Sequence, residues 1–258
     1  MEITAEFLQR LRNIEALILD MDGVLVDTEP FHIEAFRQYL KHHGLPHDDA
    51  YIFGFIGFSV PDNMRSIYKK FYGSIDEREI AKAIKERDAI YLQLLRETPL
   101  VPLPGIESLI RICRENQIPV ALASSSDREH IQIIFENLKR TSHGSFDPEV
   151  LFKTVLSGED VPERKPHPEI YRRVVRELNV KPDHTLAIED SPAGVQSAKA
   201  AGLICLALKS RFIDPEKLIA ADLLIDSIFD AVELCRRAVE NPSDRSDVRK
   251  RTGEQEGC

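Results

Sequence analysis

Short apolar segments that alternate with helical segments constrain the fold of this chain more than any other feature. Apolar runs occupy residues 16–19, 118–123, 150–156, 185–188, 203–208 and 223–225, and from residue 106 onward helical patterns separate them. Strands that are separated by helices pair in parallel and carry helices on both faces of the sheet. The sequence therefore predicts an α/β protein with a doubly wound parallel sheet, preceded by an amphipathic helix over residues 4–14.

A second region of the chain lacks this alternation. Strand-like runs are scarce over residues 42–98, whereas helical spacing recurs, most clearly over residues 79–95. A proline-rich segment at residues 99–105 then suits a hinge that leads back to the sheet. We expect a sheet domain that comprises residues 1–30 and 100–240. A helical domain, residues 31–99, is inserted after the first strand, and residues 241–258 form a disordered tail.

The composition excludes some classes of function. A formal net charge of −9 and a pI near 5.5 argue against nucleic-acid and anionic-membrane partners, which need a positive surface. The four cysteines show no paired metal-ligand spacing, and there is no secretory signal or apolar run long enough for a bilayer span. We expect a reduced, cytoplasmic protein. The oligomeric state is left open by the sequence, with a monomer or weak dimer as the expectation.

The first apolar run ends at a pair of carboxylates. Asp20 and Asp22 follow residues 16–19 directly, and Gly23 allows the backbone to turn sharply beside them. In open α/β sheets, ligands bind beyond the carboxyl ends of the strands. These two acidic side chains are therefore predicted to lie where a substrate would bind.

Three later segments also place reactive groups at this edge of the sheet. Ser124 and Ser125 follow the second strand, whereas Ser126 is interpreted as the N-cap of the next helix. Lys165 would ordinarily be a solvated surface charge, but the prolines around it fix its backbone before a helix. Glu189 and Asp190 end a further strand and could serve only as favourable charges at a helix start.

Four carboxylates at one edge cannot all remain ionised unless a cation is bound among them. A hard divalent ion with oxygen ligands is implied, and Mg²⁺ fits best, with Asp20, Asp22, Glu189 and Asp190 as the candidate metal residues.

Taken together, these segments resemble the four motifs of the haloacid dehalogenase superfamily, in the same order. More narrowly, they look like the branch that contains β-phosphoglucomutase and sugar-phosphate phosphatases. The resemblance covers residues 14–239. It is carried by Asp20-Met21-Asp22-Gly23-Val24-Leu25-Val26-Asp27-Thr28-Glu29, Ala123-Ser124-Ser125-Ser126, Lys165-Pro166-His167-Pro168 and Ile188-Glu189-Asp190-Ser191-Pro192-Ala193-Gly194.

The resemblance implies a role for each of these residues. Asp20 would be the nucleophile that forms an aspartyl-phosphate, and Asp22 the general acid and then the general base. Ser124 would bind the transferring phosphoryl oxygens, and Lys165 would neutralise charge between that group and Asp20. Mg²⁺ would be held by Asp20, the backbone carbonyl of Asp22 and Asp190, with Glu189 bound directly or through water.

The resemblance also assigns the helical domain as a cap that closes over the site and reads the leaving group. The predicted substrate-binding residues are Gly23, His32, Gly57, Ser59, Arg87, Ser124, Ser125 and Lys165. His32 has two readings, a structural histidine or a group that assists the hinge or proton transfer. Residues 54–59 also read as a plain turn between helices.

The expected activity is hydrolysis of a small phosphorylated metabolite, such as a sugar or polyol phosphate, by a Mg²⁺-dependent phosphatase. A hexose-phosphate mutase is the alternative, although Val60-Pro61 stands where the mutase has an arginine that grips a second phosphate. A catalytically inactive binding or regulatory homologue is a third reading.

Overall fold

Six parallel strands form the centre of the computed structural model, which describes residues 3–56, 58–211 and 213–239. The strands are β1 (Ala16–Leu19), β2 (Val120–Ala123), β3 (Thr154–Leu156), β4 (Thr185–Glu189), β5 (Ile204–Leu208) and β6 (Leu223–Ile225). Their order across the sheet is β3-β2-β1-β4-β5-β6, and all neighbouring pairs are parallel. The predicted doubly wound sheet is confirmed.

Helices connect the strands, and two 3₁₀ turns at Pro182–His184 and Pro215–Leu218 precede β4 and β6. The helices are α1 (Ala5–Arg12), α2 (Glu29–His42), α3 (Asp49–Phe53), α4 (Val60–Tyr72), α5 (Glu77–Glu97), α6 (Ile106–Glu115), α7 (Arg128–Thr141), α8 (Pro148–Leu151), α9 (Glu169–Leu178), α10 (Pro192–Ala200) and α11 (Ile228–Val239). The N-cap of α1 is Thr4, whose hydroxyl accepts from the amide of Phe7.

Successive strand residues face opposite sides of the sheet, so each face has its own apolar core. Leu17 and Leu19 pack with α1, α6, α7 and α11, whereas Ile18 packs on the other side with α9 and α10. The chain builds one half of the sheet from β1 to β3 and then crosses to the other side of β1 to begin β4. The carboxyl ends of β1 and β4 therefore flank the switch point where doubly wound folds bind ligands.

Helices α2 to α5 form what we term the helical insert, residues 29–97. They have a separate hydrophobic cluster in which aromatic and aliphatic side chains from all four helices meet, including Phe36, Ile52, Met64 and Ile80. Helix α5 also contributes Tyr91 to the sheet core. The insert thus packs around its own core and joins the sheet domain through α5.

The buried side-chain amide of Asn137 fixes the chain where it leads from the insert back to the sheet domain. The side-chain nitrogen of Asn137 donates to the backbone carbonyls of Leu95 (2.5 Å) and Thr98 (2.8 Å), and its oxygen accepts from the amide of Leu100 (2.9 Å). These three bonds hold the last turn of α5 and the segment that follows it. This single side chain satisfies buried backbone groups that would otherwise lose water without a partner.

Two local assignments from the sequence were wrong. The apolar run at residues 150–156 forms a strand only over Thr154–Leu156, because Asp147 and Pro148 begin the short helix α8 before it. Helix α7 starts at Arg128 with Asp127 as its N-cap, so Ser126 does not cap it.

No helix within the described residues is both long and apolar enough to cross a bilayer. The segment predicted to be disordered, 241–258, lies outside those residues.

A partly buried carboxylate, Asp222, links elements at one side of the sheet. Asp222 accepts from the side chains of Lys199 (2.5 Å) and Arg10 (3.0 Å) and from the amide of Cys205 (2.8 Å). Burial alone would raise the pKa of Asp222, but these donors outweigh it and lower the pKa. The ionised carboxylate thus links α1, α10 and β5.

We expect Asp222→Asn to lower the free energy of unfolding by about 1–3 kcal/mol at pH 7, because it leaves two cations without a charged partner. Because the pKa of Asp222 is lowered in the folded protein, the carboxylate stabilises the fold at any pH above its unfolded-state pKa of about 3.9. This stabilisation is lost as the pH falls through the folded-state pKa. Urea unfolding should therefore show a wild-type advantage that narrows below about pH 4. Asp183→Asn, at an exposed carboxylate, is the control. A difference in the free energy of unfolding between the wild type and Asp222→Asn that does not change with pH would contradict this explanation.

Candidate active site

The register of the sheet brings the predicted site residues to one edge. Leu19 lies opposite Leu122 of β2 and Ile188 of β4, so the residues that follow these positions emerge side by side. The amide of Asp20 donates to the carbonyl of Ile188 (3.0 Å), which continues the β1–β4 ladder up to the carboxylate itself. Asp20 is therefore held by the sheet rather than by a loop.

Lys165 is the centre of the site and not a surface lysine. Its ammonium donates to Asp20 Oδ1 (2.8 Å), Glu189 Oε1 (2.6 Å) and the carbonyl of Ala123 (2.8 Å). The side chain is only 4% exposed, and its three N–H groups match these three acceptors. Burial acts against the charged form, but Asp20 and Glu189 outweigh it and raise the pKa of Lys165 above its usual value. The ammonium is permanently charged at neutral pH.

Three carboxylates crowd around this single ammonium. Asp20, Glu189 and Asp190 each offer an oxygen atom within 4.8 Å of the others. Burial, followed by the charge of Glu189, raises the pKa of Asp20 to about 7. Burial and then the charge of Asp20 raise the pKa of Asp190 well above its usual range. Oxygen ligands with excess negative charge fit a hard divalent cation, which would favour their ionised forms.

Two glycines allow the backbone to approach these carboxylates closely. A Cβ atom on Gly23, where φ is +76°, would lie 1.9 Å from Asp190 Oδ2. A Cβ atom on Gly194, at the start of α10, would lie 1.9 Å from Glu189 Oε2. Both positions exclude any side chain, so the close packing of the acidic group depends on the two glycines.

Asp22 lies beside this group but has different partners. Its carboxylate accepts from the hydroxyls of Thr28 (2.6 Å) and Ser126 (2.7 Å). The sequence missed both donors: Thr28 stood unremarked in the first motif, and Ser126 was assigned to a helix cap. A serine three residues beyond the end of β2 was the available signal for Ser126. The two hydroxyls fix the orientation of Asp22.

A buried tyrosine is a further residue that the sequence did not identify. The hydroxyl of Tyr171, on α9, donates to Glu189 Oε1 at 2.5 Å. Burial and then the charge of Glu189 raise the pKa of Tyr171 well above its usual value, so the hydroxyl remains a donor. Glu189 Oε1 thus receives hydrogen bonds from both Tyr171 and Lys165.

The two serines at the end of β2 have different environments. Ser124 is fully buried, and its hydroxyl accepts from the amide of Ser126 (3.0 Å). Ser125 lines the cavity described below. The contact between Ser124 and a phosphoryl group stays a prediction.

The residues expected from the insert are only partly brought to the site. His32 lines the cavity, with its ring stacked on Tyr91 at 4.2 Å. Arg87 donates to His32 Nδ1 (2.6 Å) and is completely buried between the rings of Phe36 and Tyr91, so it does not reach the cavity in this structure. Because Nδ1 accepts from a guanidinium, the proton of the neutral ring is on Nε2. Burial and then Arg87 lower the pKa of His32 well below its usual value.

The remaining predicted contacts lie in the loop before α4. Ser59 is exposed and caps α4: its hydroxyl accepts from the amide of Asp62 and donates to the Asp62 carboxylate (2.6 Å). Gly57 lies outside the described residues.

A cavity of about 790 Å³ lies between the sheet edge and the insert. Asp20, Asp22, Lys165 and Asp190 line its sheet side, and its size is typical of sites for small molecules. The arrangement places a buried carboxylate, a fixed cation and candidate metal ligands at one end of this cavity.

The sequence pattern of haloacid dehalogenase-like hydrolases matches residues 14–202. The chain belongs to this family. Its family assignment, α/β fold and enzyme class, a phosphoric monoester hydrolase, are confirmed.

Two curated relatives and one solved structure are similar over most of their length. The chain is 31% identical over 191 residues to a phosphorylated carbohydrates phosphatase of Thermotoga maritima, covering 74% of this chain and 82% of the relative. It is 28% identical over 212 residues to validoxylamine A 7'-phosphate phosphatase of Streptomyces hygroscopicus subsp. limoneus, covering 82% and 92%. The structure of a putative β-phosphoglucomutase from Thermotoga maritima aligns with a TM-score of 0.68 and 27% identity, covering 85% of this chain and 99% of the other.

Substitution of Gly23 tests whether the hydrolase site depends on its close packing. We expect Gly23→Ala to reduce kcat/KM at least about 100-fold and the affinity for a divalent cation about 10-fold, because the new methyl group displaces the Asp190 carboxylate. Steady-state kinetics with Mg²⁺ titration is the measurement. Gly44→Ala is the matched control, since φ is +63° there and no atom lies within 4 Å of the added Cβ. Equal losses in the two variants would attribute the effect to backbone strain alone.

Proposed function

We propose that the chain is a Mg²⁺-dependent phosphatase that hydrolyses a small phosphorylated metabolite through an aspartyl-phosphate on Asp20. The observation that carries the proposal is the ammonium of Lys165, buried between Asp20 and Glu189 with Asp190 beside them. A fixed positive charge next to a buried carboxylate suits the binding of a phosphoryl group, whose own charge would otherwise be repelled.

The first half of the reaction transfers the phosphoryl group to Asp20. Lys165 binds Oδ1 of Asp20, which leaves Oδ2 to attack phosphorus in line with the leaving oxygen. The bond from phosphorus to the alcohol oxygen breaks, and a protonated Asp22 donates its proton to that oxygen. Lys165 stabilises the charge that develops between the carboxylate and the phosphoryl group.

The second half returns Asp20 to its starting state. Asp22, now ionised, accepts a proton from a water molecule that attacks phosphorus. Inorganic phosphate leaves, and the bond between phosphorus and Asp20 breaks. The hydroxyls of Thr28 and Ser126 orient the Asp22 carboxylate between these steps.

The residues around Asp20 fit the cation that the reaction needs. We propose that Asp20, Asp190 and the backbone carbonyl of Asp22 hold Mg²⁺, with Glu189 bound directly or through water. When bound, the cation neutralises the charge of the phosphoryl oxygens and of the crowded carboxylates. The helical insert acts as a cap that excludes water and contacts the alcohol part of the substrate.

The names of the relatives make phosphorylated carbohydrates the first substrates to test, as sugar or polyol phosphates. A hexose-phosphate mutase is the alternative, supported by the likeness to a putative β-phosphoglucomutase. Hydrolysis is favoured because, among the described residues that line the cavity, those of the insert include no lysine or arginine that could hold a second phosphate.

Phosphate release from a panel of phosphomonoesters tests the proposed function. We expect release that requires Mg²⁺, stops with EDTA and falls by about 10³-fold or more in Asp20→Asn, because the amide cannot act as the nucleophile. Interconversion of hexose phosphates that requires a bisphosphate activator would favour the mutase. Ligand binding without turnover on a broad panel would favour an inactive binding homologue.

Lys165→Met tests the role of the buried cation. We expect kcat/KM to fall at least about 100-fold, since the transition state loses its nearest fixed positive charge. Lys139→Met is the control, because this exposed lysine forms an ion pair with Asp147 away from the site. Thermal unfolding of both variants checks that the fold is retained. A Lys165→Met enzyme with near wild-type kinetics would contradict the proposed electrostatic role.

A further inference from the structure

The cavity has two ends of opposite character. Its sheet end carries the charged residues of the proposed reaction, whereas its insert end is formed by aliphatic and aromatic side chains. The apolar residues that line the insert end, which we term the apolar wall, are Ile33, Phe36, Ile52, Phe55, Ile56, Phe58 and Val60. The alcohol part of a substrate bound at Asp20 would extend toward this wall.

Three polar residues of the insert line the cavity, Glu29, His32 and Asn63, and two of them have side-chain groups bonded within the protein. The side-chain amide of Asn63 donates to the backbone carbonyls of Phe55 (2.9 Å) and Phe58 (3.4 Å). Nδ1 of His32 accepts from Arg87, which leaves one N–H of this ring for a ligand. A substrate rich in hydroxyl groups would therefore bury more hydroxyls at this end than the His32 N–H and the Glu29 carboxylate can bond.

Charge also argues against a second phosphate at the insert end. Glu29 lines the cavity at the start of α2, and its carboxylate would repel a second anion. The cations of the described lining, Lys165, Lys209 and Arg211, all belong to the sheet domain. Of these, Lys209 forms an ion pair with Asp226 at 2.8 Å.

We infer that the preferred substrate carries one phosphate on an alcohol with a largely apolar body, such as an alicyclic or aromatic ring. This inference rests on the proposed phosphatase function and narrows its substrate class. Each methylene buried against the apolar wall strengthens binding about fourfold. Each hydroxyl that replaces a C–H group there loses water without a partner. The wall therefore selects against fully hydroxylated sugars.

Two esters of similar shape test the inference. Cyclohexylmethyl phosphate and glucose 6-phosphate both join a primary phosphate to a six-membered ring, and they differ in ring polarity. We expect kcat/KM to be at least about 10-fold higher for cyclohexylmethyl phosphate, mainly through KM. Fructose 1,6-bisphosphate should be a poorer substrate than either. Equal kcat/KM values for cyclohexylmethyl phosphate and glucose 6-phosphate, or higher values for the sugar phosphates, would overturn the inference.

Variants of the apolar wall separate its effect from general damage. Ile33→Thr and Val60→Thr add a hydroxyl at partly buried wall positions. We expect each to raise KM for cyclohexylmethyl phosphate about 3-fold to 10-fold, with kcat nearly unchanged and little effect on glucose 6-phosphate. Ile75→Thr is the control in the same insert, since Ile75 is 49% exposed and lies outside the lining. Identical effects of all three variants would overturn the role of the wall.

Calorimetric binding to Asp20→Asn distinguishes failure of this inference from failure of the proposed function. The variant could bind cyclohexylmethyl phosphate about 10-fold more tightly than glucose 6-phosphate while the wild-type protein hydrolyses no ester. This result would support the preference for an apolar ligand and contradict the phosphatase function. Turnover of esters with no preference in binding or kcat/KM would retain the phosphatase and reject the inference.

Discussion

The buried ion pairs of Lys165 determine how the rest of the site is built. One ammonium lies between Asp20 and Glu189, and Asp190 adds a further carboxylate at the same place. Buried charges at such short distances are stable only with complete hydrogen bonding and fixed geometry. The aligned register of β1, β2 and β4 supplies the fixed geometry. Tyr171 and the backbone carbonyl of Ala123 supply further hydrogen bonds.

The two domains contribute different chemistry to the cavity. The sheet edge contributes charge, because the ends of parallel strands and the starts of helices gather polar groups there. The insert contributes shape and apolar surface, because most of its apolar lining residues belong to or pack on its own hydrophobic cluster. The residues of the insert that line the cavity can therefore change without a change in the reaction centre at the sheet edge. This separation explains why a likeness in the sheet motifs says little about the substrate.

The sheet and the acidic edge could be predicted from the sequence because both depend on local pattern. Apolar runs of three to seven residues between helices predict the strands, and the carboxylates at the ends of the first and fourth runs follow them directly in sequence. Lys165 could be singled out because prolines flank it. The errors arise where long-range contacts override local preference. Ser126 fits a helix cap in sequence, yet its hydroxyl bonds to Asp22, 104 residues away in the chain.

Burial of polar groups was the other property that the sequence did not show. Arginine is a residue type usually found on helix surfaces, but the side chain of Arg87 is enclosed by the rings of Phe36 and Tyr91. Tyr171 has the spacing of an ordinary core residue, and its hydroxyl partner comes from another element. Phe36 and Glu189 lie on elements other than the helices of Arg87 and Tyr171, so periodicity along one helix carries no signal of these two contacts. Tyr91, by contrast, lies on the same helix as Arg87, four residues later.

Helix α5 has a consequence for any attempt to exchange inserts between members of this family. Its first half packs in the insert cluster through Ile80 and Ala83, whereas Tyr91 and Leu95 near its end belong to the sheet core. A chimera cut at the apparent domain boundary near residue 98 would graft foreign residues into the recipient's main core. The transferable unit is therefore the segment up to the middle of this helix, with the second half retained from the recipient protein.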